Sequence, residues 1–151
     1  MGGSESNEAP VDWRQRQEAV VREHMASENE GRFDDTLATF THPRYELIGT
    51  GQVYDGVDEV SGYYATSRAV FPDQRNEIRA IHHAEGAVTV EFDLLGTHRG
   101  SLAGEEPTGR SFRCPMAAVF LFEGEGIVCE RVYFDAGTIY RQLESEADGA
   151  L

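Results

Sequence analysis

Lysine is missing from this chain: its 13 basic residues are all arginine, set against 27 aspartates and glutamates, for a formal net charge of −14 over 151 residues. So large a negative excess repels phosphate backbones, and nucleic acid is not an expected partner. A Walker-type phosphate loop is excluded as well, because it needs a lysine. The glycine-rich stretch GTGQVYDG at 49–56 also lacks a G-x-G-x-x-G pattern. Long apolar runs are missing, so no membrane-spanning segment is expected. The opening MGGSESNEAP has neither a basic flank nor an apolar core, so no secretory signal is read there.

Cysteine is scarce. Cys114 and Cys129 both fall in strand-like runs and neither has metal-ligand spacing. In a cytoplasmic chain, the expected location, they read as reduced, buried, small apolar side chains, with a disulfide between neighbouring strands as the alternative. The five histidines form no H-x-x-x-H or H-E-x-x-H arrangement. His82 and His83 are adjacent, so in a strand they face opposite ways. No metal site is expected. The surplus of like charge destabilises a compact state unless salt screens it, which points to a salt-rich cytosol; codon usage favouring arginine is the plainer account.

What is present suits one folded domain: hydrophobic residues are 40% and aromatics 10% of the chain, enough for a core without staples. Residues 1–10 read as a solvated tail, 11–143 as the domain, and 144–151 as an acidic tail. Asp12 with Gln15 has the form of a capping box, after which Trp13, Val20, Val21 and Met25 recur at helical intervals up to a Ser-Glu-Asn-Glu turn. Phe33, Leu37 and Phe40 mark a short second helix, ended by His42-Pro43. RYELIG at 44–49 reads as a strand. Asp55 opens a third helix with Val60, Tyr63, Tyr64, Val70 and Phe71 inward, stopped by Pro72. Strands follow at 76–82 and 87–95, where Val88, Val90, Phe92 and Leu94 alternate with polar residues. A loop spans 100–110, and 111–122 and 127–135 are strands before a short helix, TIYRQL. The acidic patches at 27–35 and 144–148 read as solvated surface.

Helices followed by mostly antiparallel strands define an α+β fold. The 111–122 strand, SFRCPMAAVFLF, is apolar on both faces; one must meet the helices, and a second copy's sheet is the expected cover for the other. A homodimer through the sheet follows, with cover by the chain's own helix or tails as the alternative.

This order of elements resembles the nuclear transport factor 2-like fold, a cone-shaped barrel with a curved, mostly antiparallel sheet wrapped on three N-terminal helices. Within it, FPD at 71–73, GTHRG at 96–100, PTGR at 107–110 and ERVYFDAGTIYRQL at 130–143 are similar to the SnoaL-like polyketide cyclases, also called ester cyclases. The resemblance implies a pocket between sheet and helices and an intramolecular aldol ring closure needing neither metal nor organic cofactor. It also implies that Asp135 is the catalytic acid–base group. One departure stands out: cyclases pair that acid with a histidine on the preceding strand, and 111–122 contains none.

A carboxylate in an apolar pocket gains proton affinity and can act as base beside a carbonyl. Asp135 is read in that role, with helix capping as its structural alternative. His98 is a candidate donor to an enolate oxygen, or a histidine bonded within its loop. Tyr64, Tyr45 and Tyr133 are candidate substrate contacts, or core tyrosines. Arg113 either binds a substrate carboxylate or, like Arg131, pairs with Glu91, Asp93 or Glu130 across the sheet. The expected function is a cofactor-independent acid–base enzyme, of cyclase, isomerase or lyase type, acting on a small apolar carbonyl compound. The alternative is a ligand-binding or dimerisation module of the same fold.

Overall fold

The computed structural model describes residues 12–144; the reading of 1–10 as a tail, and that of 144–151 beyond Glu144, lie outside them. The first helix, α1 (Trp13–Asn29), is capped by Asp12, whose carboxylate accepts from the Arg14 backbone N–H at 3.0 Å. It runs through Ser27, Glu28 and Asn29 rather than turning there. That extra turn puts Glu28 four residues after His24 on one helix face. Helix α2 (Phe33–Ala38) follows, then strands β1 (Arg44–Leu47) and β2 (Gln52–Asp55), and helix α3 (Gly56–Val70). β2 lies where the sequence shows only a glycine-rich stretch; it is a mostly exposed edge strand.

Four long strands and a last helix complete the chain: β3 (Arg75–Ala84), β4 (Ala87–Thr97), β5 (Ser111–Glu123), β6 (Gly126–Tyr133) and α4 (Ala136–Leu143). The sheet order is β2-β1-β6-β5-β4-β3. Among the described strands β1 and β6 alone pair in parallel, and the curved sheet ends on the two edges β2 and β3 rather than closing. The expected α+β fold with a mostly antiparallel sheet holds; the barrel is an open one.

β5 supplies the floor of the core through Phe112, Cys114, Met116, Ala118, Phe120 and Phe122, all buried. Ala117, Val119 and Leu121 alternate with them on the outer face and are half-buried. Cys114 is on the inner face and Cys129 pairs with Leu121 on the outer one, so both remain free thiols.

The short motifs that carry the family resemblance have structural work here. Both oxygens of Asp73, in FPD, accept from Thr97 of GTHRG, its backbone N–H and its hydroxyl, at 2.7 Å each. Gly100 lies against the end of α3, where a Cβ would meet the Ala69 carbonyl oxygen at 2.0 Å, so only glycine fits. In PTGR, Thr108 bonds the His98 ring.

Candidate functional site

A bulge decides which side chains β6 points inward. Phe122 pairs with Ile127 and Leu121 with Cys129, so Val128 is the extra residue and the alternation slips by one. Glu130, Val132 and Phe134 then face the interior, while Arg131, Tyr133 and Asp135 take the other side. Glu130 lies between Phe120 on β5 and Tyr45 on β1.

The sequence expectation for Asp135 is therefore corrected. Its carboxylate caps α4, accepting from the Gly137 backbone at 3.0 Å and the Thr138 hydroxyl at 3.0 Å, and it pairs with Arg141 at 3.1 Å. The side chain is 66% exposed. Arg141, then Thr138 and the Gly137 N–H, hold its pKa below the ordinary aspartate value, the opposite of a base poised near neutrality. Phe134 fills the inward position instead, packed on Gly49, where a Cβ would meet its ring at 2.8 Å.

The interior holds a cavity of about 180 Å³. Met25, Leu47, Phe92, Met116, Val132 and Phe134 make most of its wall apolar, and the carboxylates of Glu28 and Glu130 lie at its polar end beside Tyr45 and Tyr63. Behind them sits His24, fully buried. Its Nε2 is 2.9 Å from Glu28 and 2.7 Å from Glu130. Its Nδ1 is 2.9 Å from the Thr39 hydroxyl, which itself donates to the Thr36 carbonyl at 2.6 Å. Thr39 must therefore accept from Nδ1–H, and with two carboxylates facing Nε2 the ring is an imidazolium. Burial alone would strip its proton, but Glu28 first and then Glu130 outweigh that and lift its pKa to about 9.

The two carboxylates divide the remaining partners unequally. Glu28 also accepts the Tyr45 hydroxyl at 2.7 Å and lies 3.8 Å from Arg68. Burial raises its proton affinity, but His24, Arg68 and Tyr45 together bring its pKa below the ordinary value. Among the described residues, Glu130 has His24 alone within bonding distance. Burial dominates there and its pKa is raised. Of the two, Glu130 is therefore the carboxylate with the raised proton affinity.

Since Tyr45 gives its proton to Glu28, its oxygen accepts from Tyr64 at 2.6 Å. Burial pushes both phenols well above their ordinary pKa, so they stay neutral donors. Tyr45 touches the cavity and Tyr64 stands behind it. Tyr63 and Gln74 line the cavity and, among the described residues, their side chains make no hydrogen bond, leaving donors available to a bound molecule.

The other expected site residues lie elsewhere. Tyr133 is on the outer side and 44% exposed. Arg113 pairs with Glu77 at 3.1 Å and Asp93 at 2.7 Å on the outer face, and Arg131 with Glu46 rather than Glu130. His98 is buried outside the inner cavity. His82 and His83 bond Glu91 and Glu18 separately. His24, Glu28 and Glu130 are the three described side chains with donor types and spacing for a cation; the proton on His24 accounts for their geometry. Sequence reasoning missed this trio. The signal was present in the phase of Glu130 with Val132 and Phe134, and in the i, i+4 spacing of His24 and Glu28.

Together these elements define an α+β protein of the nuclear transport factor 2-like fold with an interior cavity. The sequence model of the family described as SnoaL-like polyketide cyclase matches residues 18–143, and the chain belongs to that family. A provisionally assigned SnoaL-like polyketide cyclase from Jannaschia sp. superposes with a TM-score of 0.77 at 17% identity, covering 91% of this chain and 96% of that one. IdmH from Streptomyces antibioticus, a provisionally assigned polyketide cyclase, gives 0.73 at 22% identity over 84% and 97%. AclR from Streptomyces galilaeus, a provisionally assigned hydroxylase, gives 0.74 at 16% over 87% and 86%. At such identities the likeness establishes the fold. No curated protein matches the chain.

Proposed function

We propose that this protein is an acid–base enzyme of cyclase or isomerase type, acting on a small apolar carbonyl compound with Glu130 as the base. The observation that carries this reading is the placement of Glu130, the raised-pKa carboxylate, in the wall of an otherwise apolar cavity. Glu130 removes a proton from the carbon next to the carbonyl. The electron pair moves onto the carbonyl oxygen, where Tyr63 and Gln74 are placed to donate. The enolate then either attacks a second carbonyl within the molecule, forming a ring C–C bond while Glu130 returns its proton to the new alkoxide oxygen, or regains the proton from Glu130 at another carbon. His24 keeps the carboxylate oriented and Glu28 keeps His24 charged. A cavity of about 180 Å³ suits one ring, since an apolar void of roughly 150 Å³ takes up benzene.

The test is solvent deuterium exchange at the α-carbons of cyclohexanone and 2-cyclohexenone, followed by proton NMR. The native protein should accelerate exchange and E130Q should lose the acceleration by about a hundredfold or more. Equal rates in E130Q would overturn the assignment. A second reading, a non-catalytic binding module, is favoured by two observations: Asp135 is spent on capping α4, and no histidine stands on β5. Ligand binding without any exchange would select it.

A further inference from the structure

The inward face of β3 carries a carboxamide, Asn76, which is 8% exposed. Asn76 pairs with Leu94 of β4, and Leu94 in turn with Cys114 of β5. On the buried side of a strand an apolar residue is expected, and a polar one there calls for partners.

Three hydrogen bonds fix this residue, and none of them uses its side-chain oxygen. Asn29, at the end of α1, holds the Asn76 backbone on both sides: its Oδ1 accepts from the N–H at 2.8 Å and its Nδ2 donates to the C=O at 3.0 Å. The side-chain Nδ2 of Asn76 donates to the Met25 carbonyl at 3.2 Å. A carbonyl can only accept, so the amide nitrogen must face α1 and Oδ1 must face away from it. Among the described residues, Oδ1 has no partner. The unpartnered side-chain atoms shut off from open space belong to Gln17, Arg68, Asp93 and His98. Asn76 instead lines the inner cavity, beside Met25, Phe92 and Leu94, and its Oδ1 opens there.

An acceptor held this firmly gains a donor at little ordering cost. A ligand that lacks one strips the oxygen of water and leaves it unpaired, which is penalised more heavily than a lost apolar contact. The donor that suits it is a neutral hydroxyl. A buried ammonium would need a counter-charge, and both carboxylates of the cavity, Glu28 and Glu130, are engaged with His24. We propose that Asn76 is a specificity-determining residue, and that the compound bound in the inner cavity is an alicyclic hydroxy ketone whose hydroxyl donates to Asn76 Oδ1. Glu130 pairs with Phe120, further along β5 than Cys114, so the hydroxyl stands across the ring from the carbon that reacts. This inference rests on the reading of the inner cavity as a carbonyl site, and it adds a second group that turns the ring towards Glu130.

The probe is 4-hydroxycyclohexanone, with cyclohexanone and 4-fluorocyclohexanone as controls that lack the donor, each titrated calorimetrically. The native protein should bind the hydroxy ketone about tenfold more tightly than either control, and that compound should move the ¹⁵N signal of Asn76 Nδ2 furthest. N76L should bind all three alike. Equal affinities in the native protein, or a preference that survives in N76L, would overturn the proposal. The native comparison and the Asn76 signal decide the matter even if N76L does not fold. The same preference is expected in E130Q. Absence of deuterium exchange in the native protein would therefore overturn the base without touching Asn76, and equal affinities would overturn Asn76 without touching the base.

Discussion

His24 Nε2 lies 2.7 Å from a carboxylate oxygen of Glu130, joining the first helix to the last strand through a buried charged pair. Removing one member of such a pair leaves an uncompensated charge in the interior. His24→Gln is expected to cost about 3 kcal/mol, read from the urea midpoint near neutral pH. The groups facing His24 are Glu28, Glu130, Tyr45 and Thr39, with Arg68 behind Glu28. Its folded pKa, about 9, exceeds the unfolded value of about 6.5. Its stabilisation is therefore complete below about pH 6.5 and is lost as pH rises through about 9. The urea midpoint of the native protein should fall across that window, and that of His24→Gln should not.

Asp135→Ala tests the reassignment of the expected base. The variant loses the α4 cap and the Arg141 pair, so a small drop in melting temperature is expected. Exchange at the α-carbons of cyclohexanone should persist at the native rate. A hundredfold loss with the fold intact would return the role to Asp135.

Much of this architecture was readable in the sequence because burial imposes period. β4 showed itself through Val88, Val90, Phe92 and Leu94, whose side of the strand packs inward. β2 did not, because a four-residue exposed edge strand has no apolar alternation to display. The reading of 27–35 as solvated acidic surface fails at Glu28, which α1 carries into the site one turn beyond His24. The inward carboxylate differs from the expected one by the phase of the strand. The family motif draws attention to Asp135, yet alternation counted from Val132 puts Glu130 and Phe134 inside. The bulge at Val128, invisible in composition, is what sets that phase against Ile127.

The charge of −14 predicts that salt stabilises the fold. The urea midpoint should rise between low and molar KCl as screening relieves self-repulsion. A midpoint independent of KCl would favour codon usage as the reason for the missing lysine.

Assembly is expected through the outer face of β5, where Ala117, Val119 and Leu121 are half-buried. Sedimentation equilibrium should give a dimer for the native chain and a monomer for Val119→Arg, whose new charge opposes its own copy across a symmetric contact. A native monomer would contradict this.

The most direct test of the account is a ¹³C titration of the Glu130 carboxyl in the folded protein, with Asp135 observed in the same experiment. The account predicts a midpoint for Glu130 above the ordinary glutamate value of about 4.3 and one for Asp135 below the ordinary aspartate value. A Glu130 midpoint at or below the ordinary value would remove the base from the cavity, and with it the proposed chemistry.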